Sequence, residues 1–247
     1  MPRVNVPARV KVLLQTIGRI ADQRGMPAYA VGGCIRDWLL GIADTTDLDV
    51  TIEGDGIEMA RAAAETLDGT VATHQQFGTA TVLLQKAVDR QGIRVDFASC
   101  RRERYAKPAA YPRVSAGTLE DDLFRRDFTI NAMAAAIAPG RFGALIDPFG
   151  GARDLRTRQL RMLHERSFLD DPSRILRGIR FAQRFGLNWE RTTQRAVQEA
   201  VSAGALGRLN AGRLRKELKR MWDEPDPRAC LQQFAALLGD TMRHEQG

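Results

Sequence analysis

The sequence predicts an α+β protein: a head built on one mixed sheet, followed by an all-helical segment. Three observations carry that prediction. Through about the first hundred residues, short strand patterns alternate with amphipathic helical patterns, with polar and glycine turns between them. After Phe168 no strand pattern returns and one helical pattern follows another. The 247 residues are 44% apolar and 6% aromatic, which is globular rather than disordered and enough for a sizeable core. The boundary is expected near residue 165, dividing the chain into 1–165 and 166–247.

Each element has its own signal. Val10, Leu13, Leu14, Ile17 and Ile20 repeat at helical spacing, so Pro7 to Arg24 reads as a helix ended by Gly25 and Pro27. Tyr29–Val31 reads as a strand and Ile35–Leu40 as a short helix. Leu48–Ile52 alternates like a strand, and Ile57–Leu67 is an alanine-rich helix. Thr70–Thr73, Thr79–Leu84 and Ile93–Ala98 are further strands. Arg101–Gly117 has two prolines, many arginines and no period, and is expected to be a functional loop. Order resumes over Leu123–Ala138. Ala144–Ile146 is a short strand before the turn Asp147-Pro148-Phe149-Gly150-Gly151, and Leu160–Leu163 is a candidate last strand. Pro172–Phe185, Glu190–Ser202, Ala211–Trp222 and Arg228–Leu238 read as helices.

The net charge is +7 and the isoelectric point about 9.8, most of the positive charge being arginine. It is grouped: Arg101, Arg102 and Arg104; Arg153, Arg156, Arg158 and Arg161; Arg174, Arg177, Arg180 and Arg184; Arg213, Arg215, Lys216, Lys219 and Arg220. Arginine's planar fork matches phosphate, so a polyanionic partner is one reading and a solvated basic surface the other. The N-terminus has no apolar signal core, no apolar run reaches membrane-spanning length, and the three cysteines are scattered. A reducing, cytoplasmic location without membrane or export is expected.

Four stretches carry chemistry. Val31-Gly32-Gly33-Cys34-Ile35-Arg36 runs from a strand through two glycines into a helix start. Such a turn brings backbone N–H groups to an anion, with Arg36 one turn on to clamp it; an ordinary βα turn is the alternative. Asp47-Leu48-Asp49 places two carboxylates on one strand face. At about 4 Å and an effective dielectric of about 20 they would repel by roughly 4 kcal/mol, which a divalent cation would relieve. A polar edge-strand face is the other reading. Asp96 is the candidate third carboxylate, on a strand that could lie beside the first. In Arg125-Arg126-Asp127-Phe128-Thr129-Ile130-Asn131, a helical turn would stack Asp127 on Asn131 to read a ribose hydroxyl, leaving Arg126 for phosphate. A cap with a surface ion pair is the alternative there. In Asp170-Asp171-Pro172-Ser173-Arg174, a capped helix would carry Asp171, Arg174 and Arg177 on one stripe with Arg180 beside it. That stripe could offer acceptor and donors to a base edge, or be only a helix salt bridge.

In this order the motifs resemble the bacterial-type (class II) tRNA nucleotidyltransferase and poly(A) polymerase family of the polymerase-β-like superfamily. VGGCIRD with DLD, RRDFTINA, DPFGG and DDPSR look like its motifs A to D, with Asp170 standing where the family usually has Glu. The resemblance spans roughly 28–185. It implies a polymerase-β-like nucleotidyltransferase head with a mixed sheet, then a helical neck that binds the nucleotide base and tRNA. It implies Mg²⁺ at Asp47 and Asp49 and triphosphate contacts from Gly33, Arg36 and Arg126; from the residues themselves, Asp47, Asp49 and Asp96 are the candidate catalytic carboxylates, and Gly32 joins Gly33 in the expected nucleotide-binding turn. It also implies ribose selection near Asp127 and Asn131, base pairing by Asp171 and Arg174, and nucleotide contacts from Arg177 and Arg180.

The implied reaction is attack of an RNA 3′-hydroxyl on the α-phosphate of CTP or ATP, with no DNA substrate. Family members usually carry further helical body and tail domains, whereas this sequence shows only the first neck helices. The stretch 103–118 resembles the loop of CCA-adding and A-adding members, which favours a product that includes the terminal A; CC-only members tend to have it shortened. Poly(A) synthesis on RNA 3′ ends and CC addition stand as alternatives. So does an RNA-binding module that has lost catalysis, against which the intact Asp47–Asp49 pair counts.

Overall fold

The computed structural model describes residues 2–44, 47–84 and 92–244. Its helices are α1 (Ala8–Gln23), α2 (Gly33–Leu39), α3 (Gly56–Thr66), α4 (Leu119–Phe124), α5 (Gly151–Arg156), α6 (Ser167–Asp170), α7 (Ser173–Phe185), α8 (Arg191–Ser202), α9 (Ala211–Trp222) and α10 (Pro227–His244). Its strands are β1 (Ala28–Val31), β2 (Asp47–Ile52), β3 (Thr70–His74), β4 (Thr79–Leu84), β5 (Ile93–Ser99), β6 (Arg101–Arg104), β7 (Arg113–Ala116), β8 (Ala134–Ala136), β9 (Leu145–Ile146), β10 (Gln159–Leu160) and β11 (Asn188–Trp189). Among the described residues no helix is long and apolar enough to cross a membrane. The chain divides into two compact units. The first comprises Met1–Arg102, Val114–Arg126 and Ile130–Ala152; the second comprises Glu103–Arg113, Asp127–Thr129 and Arg153–Gly247.

The first unit is organised by a seven-stranded sheet in the order β3-β4-β5-β2-β1-β8-β9. It is mixed because β2 and β5 run parallel while the other neighbours are antiparallel. The central strand β2 alternates as its sequence demands: Leu48 and Val50 are buried, Asp47 and Asp49 exposed. Full burial of a leucine such as Leu48 contributes about 1.5–3 kcal/mol, which holds the strand's register and therefore the face on which the aspartates stand. Helix α1 lays Val10, Leu13, Leu14, Ile17 and Ile20 into the core and stops before Gly25, whose φ of +64° few other residues adopt cheaply. Helix α3 starts at Asp55, whose side chain accepts from the N–H groups of Ile57 and Glu58.

The second unit is mainly helical. Leu176, Ile179, Leu209, Met221 and Cys230 form its buried cluster, with Trp189, Leu214, Leu218 and Phe234 packed against it. Phe128 lies within ring-contact distance of Phe168, Phe181 and Trp189. Glycine at 178 is required here, since a Cβ would fall 2.2 Å from the Trp189 ring and 2.8 Å from that of Phe128.

Three local expectations change. The stretch 101–117 is not all loop, because β6 and β7 pair as a two-stranded ribbon. The C-terminal segment is not purely helical: Gly186 ends α7 in the left-handed region, and β11 then runs parallel to β10. Asp127 and Asn131 do not stack on a helical turn. Phe128 forms an extended bridge to Met162, and only Thr129–Asn131 closes as a short 3₁₀ turn. Burial of the Phe128 ring overrides the local helical spacing.

Candidate active site

In the first unit the site begins where β1 ends. Ala30 pairs with Val50, so one residue further on Val31 comes level with Asp49, and Gly32 follows. Gly32 has φ +76°, and a Cβ there would lie 2.5 Å from Nη1 of Arg126. Glycine is therefore needed both for the backbone and for the room that Arg126 occupies. The Arg126 guanidinium donates through Nη2 to Asp122 at 3.0 Å, while its Nε is buried with no hydrogen-bond partner. A buried donor left unpaired is costly, and an anion at this turn would satisfy it. Burial pushes the fully buried Asp122 carboxyl up, but Arg126 and Arg125 beside it prevail and hold it below the ordinary value. Asp122 is thus the anchor of Arg126. The sequence reading missed it, although its spacing of three and four residues from Arg125 and Arg126 was the available signal.

Arg36 is buried and folded back near Gly33. It donates through Nη1 to Oδ1 of Asn131 at 2.6 Å and through Nε to Asp37 at 2.9 Å. Arg36 and Asn131 therefore form one hydrogen-bonded unit, a link that the motifs read separately do not reveal.

The carboxylates stand as the strand period requires. Asp47 and Asp49 are exposed on one face of β2. Asp49 is crowded by protein although it reaches solvent: desolvation is the largest cause raising its carboxyl above the ordinary value, Arg126 opposes it, and Asp96 and Asp47 add to it. Asp96 lies level with Asp49 in the β2–β5 register. It accepts from Thr81 Oγ1 at 2.5 Å and is paired with Arg94 at 2.8 Å. Among the described residues no group of three or more His, Cys, Asp or Glu side chains is gathered as a ready metal cage. Two neighbouring carboxylates with open positions for water and phosphate oxygens still fit a hard divalent cation, and the mutual repulsion at Asp49 is what such a cation removes.

In the second unit, Asp171 lies just before α7, whose N-cap position is Pro172. Oδ1 of Asp171 accepts from Ser173 N–H at 3.1 Å and from Ser173 Oγ at 2.6 Å, and Arg213 pairs with the same oxygen. Arg174 is buried; its Nη1 donates to Ser167 Oγ at 2.7 Å and lies 3.4 Å from Nε2 of His164. Arg177 donates through Nε to Asp127 Oδ2 at 2.7 Å, and that carboxylate holds the guanidinium above its usual range. Arg180 is buried between Glu224 at 2.9 Å and Glu217 at 3.1 Å, each itself held by a further arginine, Arg184 and Arg220. Arg174, Arg177 and Arg180 all lie on α7, but Asp171 stands before the helix in extended backbone, outside the expected stripe, and Arg180 is committed to a buried ion network. Ser167, His164 and Arg213 were not singled out from sequence, because no motif spacing marks them.

Residues 28–161 match the family described as poly A polymerase head domain. The chain is 40% identical over 233 residues to an A-adding tRNA nucleotidyltransferase of Geobacter sulfurreducens, covering 94% of this chain and 26% of that protein. It is 41% identical over 218 residues to an A-adding tRNA nucleotidyltransferase of Halalkalibacterium halodurans, covering 87% of this chain and 49% of that one. A solved CCA-adding enzyme in its apo form II superposes with TM-score 0.88 at 42% identity, over 97% of this chain and 55% of the other. The chain thus spans about half the length of these proteins or less. The matched residues cover the glycine turn, the β2 carboxylates and the Arg126 anchor, and the chain belongs to the poly(A) polymerase head-domain family.

Proposed function

We propose that the protein adds nucleotides to the 3′ end of tRNA without a nucleic-acid template, using ATP or CTP and releasing pyrophosphate, with the terminal A among its products. One observation carries this reading: Asp47 and Asp49 stand exposed on one face of β2, level with the end of the glycine turn that Arg126 occupies. The A-adding names of the two relatives above and the ordered motifs support the choice of RNA end.

The family generally uses a divalent metal, and we assign Mg²⁺ to Asp47 and Asp49. When bound, it supplies charge neutralisation for the triphosphate and acidity to the attacking hydroxyl. The chain's own residues do the rest. Gly32 and Gly33 let backbone approach the phosphates, and Arg126 offers its unpaired Nε to a phosphate oxygen. Arg36 contacts the triphosphate and, through its hydrogen bond, holds Asn131 for ribose selection; Asp127 is assigned to ribose selection as well. Asp96 assists activation of the hydroxyl. The RNA O3′ forms a bond to the α-phosphorus, the bond to the bridging oxygen breaks, and pyrophosphate leaves with its electron pair. Residues 1–165 serve as the nucleotidyltransferase head. Residues 166–247 serve base and tRNA binding, Asp171 and Arg174 offering the acceptor and donors that read the base, with Arg177 and Arg180 on the same helix. We place this work in the cytoplasm, consistent with three buried free cysteines.

The test incubates the protein with Mg²⁺, each labelled NTP, and tRNAs lacking one, two or three terminal nucleotides. Addition of one to three nucleotides that then stops is expected. Long ladders from ATP alone would favour poly(A) synthesis, and no incorporation with any tRNA would refute the reading. RNA retention should fall steeply with added salt if it is mainly ionic.

A further inference from the structure

We infer that His164 and Ser167 are positioning residues that fix the plane of the Arg174 guanidinium and so set which base is accepted; this rests on the base-reading role proposed above for Arg174. Ser167 is fully buried at the start of α6, and its Oγ accepts from Arg174 Nη1 at 2.7 Å. The same Nη1 lies 3.4 Å from Nε2 of His164, ten residues before Arg174. A guanidinium is always protonated and has only donors, so both neighbours must present an acceptor to it. His164 does so only as the neutral imidazole with its proton on Nδ1. Two acceptors on one Nη1 hold the fork against rotation. A fork free to turn would present its donors to more than one base edge and discriminate less.

The surroundings of His164 keep it in that form. Burial lowers its pKa, and the Arg174 and Arg166 cations lower it further, while Asp170 opposes them. Arg174 comes from α7, Asp170 from α6, and Arg166 from the residue that caps α6. Protonation would turn Nε2 from acceptor to donor and set a second cation against Arg174. Since the folded pKa lies below the ordinary value of about 6.5, discrimination should be complete at neutral pH and fall only in acid.

The experiment measures the ratio of kcat/KM for ATP to that for GTP on tRNA lacking its terminal A. His164→Leu and Ser167→Ala are each expected to lower the ratio about tenfold, mostly through a higher KM for ATP. His164→Gln, which keeps an acceptor, is expected to restore it. The wild-type ratio should hold at neutral pH and fall only once the solution is acidic enough to protonate His164, while that of His164→Gln stays level. Arg174→Lys is the reference and should lose discrimination outright. If Arg174→Lys loses it while His164→Leu and Ser167→Ala stay within about twofold of wild type, the positioning role is wrong. If Arg174→Lys also keeps it, the base-reading assignment fails and this inference with it. A variant that merely unfolds would lower kcat for both nucleotides together and leave the ratio unmoved, whereas failure of His164→Gln to restore the ratio lost in His164→Leu overturns the inference.

Discussion

The face of β2 and the buried side of α7 use charge in opposite ways. On β2, Asp47 and Asp49 stand exposed, and Asp49 is raised first by crowding and then by its like-charged neighbours, against the pull of Arg126. On α7, Arg174, Arg177 and Arg180 each have protein partners: a hydroxyl and an imidazole, one carboxylate, and two carboxylates respectively. The strand is electrostatically incomplete and the helix is satisfied within the fold. Substitutions on the strand should therefore remove activity and spare stability. Those on the helix should cost stability in proportion to how much opposite charge they strand.

The largest effect should come from the strand. Asp47→Asn or Asp49→Asn is expected to reduce nucleotide transfer by on the order of a thousandfold or more. The melting temperature should stay about level, because the change relieves crowding and like-charge repulsion while giving up only the attraction of Asp49 to Arg126. A clear drop in melting temperature would mean that the pair supports the fold, and the contrast with α7 would fail. The reverse pattern is expected at Arg180. Arg180→Met leaves Glu217 and Glu224 buried, still paired with Arg220 and Arg184. Breaking a buried pair costs about 3 kcal/mol at the low end of the range, and these remaining arginines argue for that end. Denaturant unfolding would measure it. A loss under about 1 kcal/mol would show that the network is not what holds α7 to α9.

What the sequence made legible follows from range. The β2 carboxylates, the α1 core face and the α7 arginines are all periodic, and period alone places them. Asp127 and Asn131 had a helical spacing too, yet Phe128 between them joins the aromatic group of Phe168, Phe181 and Trp189, and packing overrode the local pattern. The partners of Arg180 lie 37 and 44 residues away, on and just beyond α9. No spacing rule reaches that far, so an arginine read as a nucleotide ligand could not be told from one neutralised by the fold. The union of Arg36 with Asn131, 95 residues apart, was hidden for the same reason.

A smaller effect separates conformation from chemistry at Gly32. Gly32→Ala must hold alanine at φ +76° and ψ −128°, a sparsely populated region that costs about 1–3 kcal/mol. The clash is with the end of the Arg126 side chain, which can swing aside, so the protein should fold. In doing so Arg126 leaves the turn. Activity should fall at least about tenfold while the melting temperature falls modestly. Retained activity would show that Arg126 does its work from elsewhere.

The smallest effect concerns an exposed pair in the first unit, where solvent should make charge pairing nearly irrelevant to stability. Arg102 donates twice to Asp121 at 2.9 Å, and this holds the Asp121 carboxyl down at about 2. The N–H and hydroxyl of Thr118 also donate to Asp121, closing the capping box of α4. A carboxyl depressed in the folded state contributes stability above its unfolded pKa of about 3.9, and loses it as pH falls toward about 2. Arg102→Ala removes the larger cause and leaves the cap. Followed by NMR, the Asp121 titration should move up from about 2 yet stop short of 3.9, with little change in melting at neutral pH. An unmoved titration would assign the depression to the cap alone. A substantial loss of stability would mean that exposed charge in this unit carries as much of the fold as the buried charge of α7.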